Sequence, residues 1–275
     1  MLDQRATQLL EAALTHEGRI VALTGAGISA ASGIPTFRGP EGYWTTGSEV
    51  YTPQQLATRA TFRRRPEEVW SWYLWRLTVC RDAEPNAAHA AMVRLEQALG
   101  DRFLLVTQNV DGLHQRAGSS TERTYAIHGH LERMRCAANC HAALHPVPVE
   151  LPPKARGTGL TQDERTQLTC PRCGDWMRPH VLWFDETYDE EHFRFDSALG
   201  AAQDASLVLT VGTSAATNLP TLVVQTAVNA GASLIDVNPD ANPFGELAAR
   251  LPNGVAVDLP AGEALPLLIE GIVAR

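Results

Sequence analysis

The sequence predicts an α/β fold, in which a doubly wound parallel sheet carries a smaller inserted lobe. Three observations predict it. Short runs that are apolar throughout recur along the chain, helical patterns separate several of these runs, and two longer stretches break the alternation. Strands that lack a polar face are typical of a parallel sheet that is covered by helices on both sides.

The elements follow one another in a regular order. A helical face formed by Leu9, Leu10, Ala13 and Leu14 comes first, and helical patterns return at 218–231 and 262–275. The predicted strands span residues 19–25, 102–109, 206–212, 233–238 and 254–259. Strands and helices in this order predict a Rossmann-like sheet.

The two stretches that break the alternation predict the smaller lobe. Residues 40–85 are rich in Trp, Tyr and Arg and show helical patterns, so we expect a helical module there. Residues 132–182 hold two cysteine pairs and many prolines, which predicts a zinc-binding module. The larger domain is then expected to comprise residues 1–39, 86–131 and 183–275 of a single unit.

Composition excludes several classes of protein. The 275 residues are 44% hydrophobic and 20% charged, which is typical of a soluble globular chain. A net charge of −8 disfavours general nucleic-acid binding, because phosphate contacts need a basic surface. No apolar run reaches the ~18 residues that span a membrane, and the first residues lack the apolar core of a secretory signal. We therefore expect a cytoplasmic protein without nucleic-acid or membrane partners.

Four of the five cysteines form two close pairs. The pairs have x3 and x2 spacings and 29 residues between them: Cys136, Cys140, Cys170 and Cys173. Four thiolates can hold a tetrahedral zinc ion with no open position, so we predict one structural zinc per chain. Two alternatives stay open, namely unligated thiols and replacement of one ligand by His141. The fifth cysteine, Cys80, is predicted to be a packed thiol.

A glycine-rich stretch, GAGISAASGIPTFRG at residues 25–39, follows the first predicted strand. A doubly wound fold binds phosphates at this place, where glycines admit a pyrophosphate and a helix N-terminus supplies N–H donors. Gly25 and Gly27 fit this role, but the third glycine of G-x-G-x-x-G is displaced to Gly33. By itself the stretch fits a nucleotide site and a tight turn equally well.

Polar side chains end a later strand. Gln108, Asn109 and Asp111 follow the second predicted strand, where side chains point into the ligand crevice of a parallel sheet. Their amide and carboxylate groups suit ribose hydroxyls and a carboxamide, which need both donors and acceptors. A helix N-cap would also explain Asp111, but it would explain the Gln108–Asn109 pair poorly.

A series of motifs, taken in order, gives the chain a family resemblance. They are GAGISAASGIPTFRG, TQNVDGLH (107–114), HGH (128–130), the two cysteine pairs, RPHVLWF (178–184), GTS (212–214) and VNP (237–239). From about residue 18 to about residue 270 the chain resembles the sirtuins, which are NAD-dependent protein lysine deacylases. The resemblance implies NAD as co-substrate, and acylated-lysine proteins or peptides, bound as an added strand, as partners.

The resemblance implies that the glycine loop wraps NAD from the pyrophosphate to the nicotinamide, with Phe37 covering the nicotinamide end. Without the family resemblance, Phe37 would be interpreted as a core residue and Arg38 as a surface cation. The implied NAD-binding residues are Gly25, Ala26, Gly27, Ser29, Thr36, Phe37, Arg38, Trp44, Gln108, Asn109, Asp111, Gly212, Thr213, Ser214, Asn238, Pro239, Asp240 and Ala261.

The resemblance also implies a mechanism, with His128 as general base and Asn109 and Asp111 as further catalytic residues. The acyl-lysine carbonyl oxygen attacks C1′ of the nicotinamide ribose, and nicotinamide leaves. His128, whose imidazole titrates near neutrality, activates a ribose hydroxyl that attacks the imidate carbon. The products are lysine, nicotinamide and O-acyl-ADP-ribose. Two rival functions are protein mono-ADP-ribosyl transfer and a non-catalytic NAD or ADP-ribose sensor.

Tyr73 and Arg76 lie three residues apart on a predicted helix and therefore share one face. A phenol and a guanidinium that converge can bind a carboxylate, although an exposed Arg76 on an aromatic-rich helix fits the pattern as well. Sirtuins that prefer negatively charged acyl groups carry Tyr-x-x-Arg here and Thr, as at Thr36, before Phe-Arg. The resemblance therefore implies succinyl- and malonyl-lysine, as well as acetyl-lysine, as substrates, with Ala57 leaving room for the longer chains.

The resemblance implies a set of substrate-binding residues: Ala57, Tyr73, Arg76, Val181, Trp183 and Phe184. Two segments that would pair with the peptide depart from the family pattern. Asp185 replaces the usual Gly, and Asn218-Leu219-Pro220 replaces the commoner Val-x-Pro. Recognition by strand addition depends more on backbone than on side chains, so we expect broad tolerance of peptide sequence.

Overall fold

A parallel sheet of six strands forms the centre of the part of the chain that the computed structural model describes, residues 4–36 and 52–273. Its strands are β1 (Arg19–Thr24), β2 (Phe103–Thr107), β3 (Thr124–Ala126), β7 (Ala205–Val211), β8 (Ser233–Val237) and β9 (Gly254–Val257). They lie in the order β3-β2-β1-β7-β8-β9, and every neighbouring pair is parallel. The doubly wound parallel sheet predicted from the sequence is confirmed.

Helices cover both faces of this sheet. One face packs against α1 (Gln4–Thr15), α5 (Ala87–Leu99) and α12 (Ala261–Val273), and the other against α9 (Phe195–Gln203), α10 (Asn218–Asn229) and α11 (Pro243–Arg250). Successive residues of β1 belong to opposite sides: Ile20 and Ala22 pack in the first cluster, Val21 and Leu23 in the second. Because both faces are buried, the strands show no polar alternation.

Each predicted strand of the large sheet is present and ends one or two residues earlier than predicted. Strand β2, for example, ends at Thr107, not at residue 109. The strands β1 and β7 are followed by glycines, and β2, β8 and β9 are followed by polar residues. No helix in the described ranges is long and apolar enough to cross a membrane.

The smaller lobe contains an antiparallel sheet with the strand order β5-β4-β6. Its elements are β4 (Gly129–Cys136), β5 (His145–Pro146), β6 (Met177–Val181), α2 (Pro53–Leu56), α3 (Arg59–Arg64), α4 (Pro66–Asp82) and α7 (Gln162–Gln167). Trp70 of α4 donates its Nε1–H to the Met177 carbonyl of β6 at 2.7 Å, and Trp70 and Trp183 are buried in one hydrophobic cluster. The helical and cysteine-bearing insertions thus share a core, while the exact domain boundaries stay a prediction.

Four shorter elements lie between the longer helices and strands. They are the helices α6 (Leu113–Ala117) and α8 (Glu190–Phe193) and two 3₁₀ segments, Ala26–Ser32 and Gly100–Arg102. The segment between β6 and α8 passes from the small lobe back to the large sheet, and it contributes several contacts to the site described next.

Candidate functional site

The strand order reverses between β1 and β7, and the loops at the carboxyl ends of these two strands touch there. In open α/β sheets, ligands bind in the crevice at this switch point. The Gly27 N–H donates to the Gly212 carbonyl at 2.8 Å, and a Cβ added at Gly27 would lie 2.6 Å from Gly212 Cα. Glycine is therefore required because the two loop backbones are in contact.

This contact adds a reason for the glycines that the sequence did not reveal. The N–H of Gly25 donates to the Val211 carbonyl at 2.9 Å, so the N–H groups of Gly25 and Gly27 are already bonded within the chain. From the sequence, both glycines are expected to admit a pyrophosphate. The structure shows that they first allow β1 and β7 to place their following loops side by side.

Three predicted residues form one hydrogen-bonded group beside the loop. Asp111 is buried, and its Oδ2 accepts from Ser29 Oγ at 2.8 Å while Oδ1 accepts from the Leu113 N–H at 2.9 Å. Asn109 Nδ2 donates to Ser29 Oγ and to the Gly25 carbonyl, both at 3.1 Å. The N-terminal turn of α6 and the 3₁₀ segment Ala26–Ser32 therefore hold the two side chains in place.

Gln108, just beyond β2, is bonded to two hydroxyl groups in the segment after β7. Its Nε2 donates to Thr213 Oγ1 at 2.8 Å, and its Oε1 accepts from Thr217 Oγ1 at 2.9 Å. Asn238, beyond β8, donates to the Thr213 carbonyl at 2.9 Å. Together with Asp111, these side chains present amide, carboxylate and hydroxyl groups at one edge of the sheet, and such donors and acceptors fit the ribose hydroxyls and carboxamide of NAD.

His128 lies between β3 and β4, half-buried, with both ring nitrogens engaged. Nδ1 lies 3.0 Å from the Gln108 carbonyl oxygen, so Nδ1 must carry the proton. Nε2 therefore carries the lone pair and accepts a hydrogen bond from the Tyr188 hydroxyl at 2.8 Å. Burial lowers the pKa of His128 to about 4, although the Gln108 carbonyl opposes the shift. At neutral pH the imidazole is a neutral base.

Tyr188 was missed by the sequence reasoning. It lies four residues beyond Phe184, outside every motif, and no spacing pattern marks it. Its ring packs 5.9 Å from the His128 ring and 6.3 Å from that of Phe195, between centroids. Only the fold brings it to the end of β3.

Two further histidines, His89 and His114, lie in contact with each other, and the sequence reasoning did not predict them either. His114 on α6 is fully buried, and its Nε2 lies 3.0 Å from Thr24 Oγ1, at the end of β1. The His89 ring packs edge-on against it with centroids 4.9 Å apart. Burial, together with the neighbouring His89, lowers the pKa of His114 to about 3, so this group stays neutral in the folded protein.

The Tyr73–Arg76 face of α4 is buried, which contradicts the alternative of an exposed arginine. Arg76 is 4% exposed and Tyr73 2%. The Arg76 guanidinium lies 4.7 Å from the centroid of the Trp72 ring and 5.5 Å from that of Tyr73. Tyr73 Oη accepts from Trp183 Nε1 at 2.9 Å, and burial raises the pKa of the Tyr73 phenol. A buried cation and phenol thus lie beside Trp183, with Ala57 and Val181 in the same cluster.

The segment after β6 is bonded to the start of α3. The Phe184 N–H donates to the Ala57 carbonyl at 3.0 Å. The Asp185 carboxylate accepts from the Arg59 N–H at 2.7 Å and the Ala60 N–H at 3.0 Å. Asp185 therefore caps the first turn of α3, which is a role a glycine at this position could not fill.

The four paired cysteines come together in the small lobe, and their sulfur atoms all lie within 4.8 Å of one another. Two of the separations are 3.5 Å (Cys136–Cys173) and 3.7 Å (Cys140–Cys170). They are too long for disulfides and match the ~3.8 Å between sulfurs that share a tetrahedral zinc at ~2.3 Å. His141 Nε2 lies 3.6 Å from Cys170 Sγ. His141 is therefore a neighbour of one sulfur and is not a member of the four-sulfur group. The set fits one structural zinc ion.

The remaining predicted residues that the structure describes lie at four places. Thr36 follows the 3₁₀ segment, Ser214 is exposed after β7, Pro239 and Asp240 are exposed after β8, and Ala261 is buried at the start of α12. Asp240 donates its N–H to Asn238 Oδ1 at 3.3 Å. Phe37, Arg38 and Trp44 lie outside the described residues.

Comparison with known proteins gives one consistent result. The model of the Sir2 family matches residues 25–218. An NAD-dependent protein deacylase from Aeropyrum pernix is 39% identical over 87% of this chain and 93% of its own. A Sir2 homologue in complex with ADP-ribose superposes with a TM-score of 0.79 at 32% identity, covering 98% of this chain and 96% of its own. A Sir2 protein with a deacetylated p53 peptide and 3′-O-acetyl-ADP-ribose gives 0.71 at 25%, covering 97% and 98%.

Proposed function

We propose, from the premise that this chain belongs to the Sir2 family and is an NAD-dependent protein deacylase, that it removes succinyl and malonyl groups from protein lysines as well as acetyl groups. The observation that carries this proposal is the burial of Tyr73 and Arg76 side by side on α4. Succinyl and malonyl groups end in a carboxylate, which can form charge-assisted hydrogen bonds with the Arg76 guanidinium, whereas an acetyl group is uncharged.

The surroundings of Arg76 favour carboxylate binding. A guanidinium that is shielded from water forms stronger charge-assisted hydrogen bonds than an exposed one. Stacking on Trp72 and Tyr73 fixes its plane, so little side-chain entropy is lost when an acyl carboxylate binds. Ala57 places only a methyl group in the same cluster. This small side chain would leave room for an acyl chain longer than acetyl.

The chemistry would be shared among the residues at the strand ends. NAD supplies the ribose carbon that accepts the acyl oxygen, and the hydroxyl that completes the transfer. His128 would accept the proton of that hydroxyl at Nε2, because Nδ1 is bonded to the Gln108 carbonyl. Asn109 and Asp111, held through Ser29, would orient the ribose. The product expected on this scheme is O-acyl-ADP-ribose, as 3′-O-acetyl-ADP-ribose is named in the related Sir2 complex.

The acylated peptide is proposed to bind as an added strand between the segments 183–185 and 215–219. Phe184, in the first segment, is 54% exposed, and Leu222, just beyond the second, is 40% exposed. A hollow lined by Ala216, Asn218 and Leu222 lies along it. Backbone pairing here would tolerate varied peptide sequences.

A single comparison tests the proposal. Peptides that differ only in an acetyl, succinyl or malonyl group on one lysine are incubated with the protein and NAD, and products are identified by mass spectrometry. We expect NAD-dependent loss of all three groups, with one O-acyl-ADP-ribose formed per group removed. The His128→Asn variant should lose this turnover while remaining folded. Turnover confined to the acetyl peptide would withdraw the acidic-acyl proposal without touching family membership.

A further inference from the structure

The Tyr188 hydroxyl occupies the atom of His128 that the reaction needs. The Gln108 carbonyl holds the Nδ1 proton, so the only lone pair of the ring is on Nε2. The phenol donates its hydrogen to that lone pair over 2.8 Å. A ribose hydroxyl cannot give its proton to Nε2 while the phenol bond persists, because one lone pair accepts one proton.

The phenol has a second partner close by. Thr217 Oγ1 donates to Gln108 Oε1 at 2.9 Å, which leaves the lone pairs of that hydroxyl oxygen free to accept. The Thr217 side chain is near enough to the Tyr188 phenol to lower its pKa, although burial is the larger effect and raises it to about 12. The phenol therefore keeps its proton throughout and can only change acceptor.

We propose that Tyr188 is a positioning residue that caps the general base: it holds His128 oriented and unprotonated until the ribose hydroxyl takes its place at Nε2. The displaced phenol then bonds to Thr217 Oγ1. The proton that reaches Nε2 comes from the ribose hydroxyl, and none is exchanged with the phenol. This inference rests on the proposed role of His128 as general base.

The surroundings of His128 make the effect of this one bond measurable. Within residues 4–36 and 52–273, burial lowers the pKa of His128, the Gln108 carbonyl opposes this shift, and no charged side chain contributes. The Tyr188 phenol is bonded to the ring, and the Thr217 hydroxyl lies beyond that phenol. Removing the phenol hydroxyl therefore leaves no neighbouring charge to mask the change.

The first measurement is the titration of His128 in the ligand-free protein, followed by NMR and assigned by comparison with His128→Asn. Tyr188→Phe removes the hydroxyl and keeps the ring. A donor to Nε2 stabilises the neutral imidazole, so its loss should raise the pKa of His128 by about half to one unit. Tyr125→Phe, in β3 and packed against the same hydrophobic cluster, is the matched control and should leave the titration unchanged.

The second measurement separates the two chemical steps. Nicotinamide exchange reports on the step before the base acts, and single-turnover formation of O-acyl-ADP-ribose reports on the step that needs it. Because Tyr188→Phe no longer has a cap to displace, the second step should become roughly two- to tenfold faster. Nicotinamide exchange should stay within about twofold.

The outcomes are separable. An unshifted His128 titration in Tyr188→Phe, or an equal fall in both steps, would overturn the cap and leave Tyr188 as a packing residue. A shifted titration with no change in the second step would overturn it as well. Full deacylation by His128→Asn would instead overturn the general-base role, whatever the titration of the Tyr188 variant shows.

Discussion

Replacement of Arg76 by Met tests the acyl preference most directly. Met retains an unbranched side chain that can lie against Trp72, but it removes the buried guanidinium. A hydrogen bond to a charged group contributes about 1.5–3 kcal/mol, and each ~1.4 kcal/mol is tenfold. We therefore expect kcat/KM for the succinyl and malonyl peptides to fall about 10- to 100-fold. Deacetylation, which has no carboxylate to lose, should change little.

The assay is designed to separate binding from damage to the fold. Arg81→Met on the same helix removes a partly exposed arginine that pairs with Glu132 at 3.4 Å, and it should affect neither substrate. Tyr73→Phe is a poorer probe, because it leaves the buried Trp183 Nε1–H without its acceptor and should cost about 1–3 kcal/mol of stability. Equal losses on acetyl and succinyl peptides in Arg76→Met would refute the reasoning and make the pair structural.

Two further predictions concern the zinc site and acid stability. Metal analysis should find about one zinc per chain. The Cys170→Ala variant should lose the metal, and the small lobe should lose stability with it. An active, metal-free protein would contradict the four-cysteine site. Burial lowers the pKa of His114 and His180 to about 3 and of His128 to about 4, with Arg135 adding to the shift at His180. Between about pH 6.5 and 4 the unfolded chain binds these protons and the folded chain does not, so stability falls as pH falls. Urea denaturation at pH 7 and pH 5 should show a loss on the order of 1–2 kcal/mol per histidine, and equal stability at both would show that these groups are not held neutral.

The large sheet could be predicted because its signal is local. Strands such as β1 and β2 are buried on both faces, and an apolar run of the right length is visible without knowledge of partners. The antiparallel sheet of the small lobe carries no such signal. β5 has only two residues, and β4 contains Glu132, Arg133 and Arg135. Its stability comes from residues distant in sequence, such as Trp70 against β6, and from the cysteine cluster.

The residues of the candidate site also fall into those that could be predicted from the sequence and those that could not. Residues placed by a strand end or by short spacing, such as Gln108 and the paired cysteines, could be found from the sequence and are brought together in the structure. Tyr188 could not be found, because its partner His128 is 60 residues away and the bond depends on how the chain returns from the small lobe. The sequence also could not show the full reason for a glycine at position 27. The atom that excludes a Cβ there belongs to Gly212, which is distant in sequence.

The segment 183–188 joins parts of the site that lie far apart in sequence. Phe184 bonds to the backbone of residue 57 in the proposed acyl pocket, and Asp185 caps α3 beside it. Glu186 accepts from the Trp183 N–H at 3.1 Å and pairs with Arg178 of β6, which fixes the turn between them. Tyr188 then reaches the base. Because these contacts follow one another within six residues, a peptide strand that pairs with 183–185 would act on the backbone that carries the Tyr188 phenol. If the peptide binds there as proposed, substrate binding and release of the capped His128 would be connected through this short segment. Comparing the His128 titration with and without an acylated peptide tests the two proposals together.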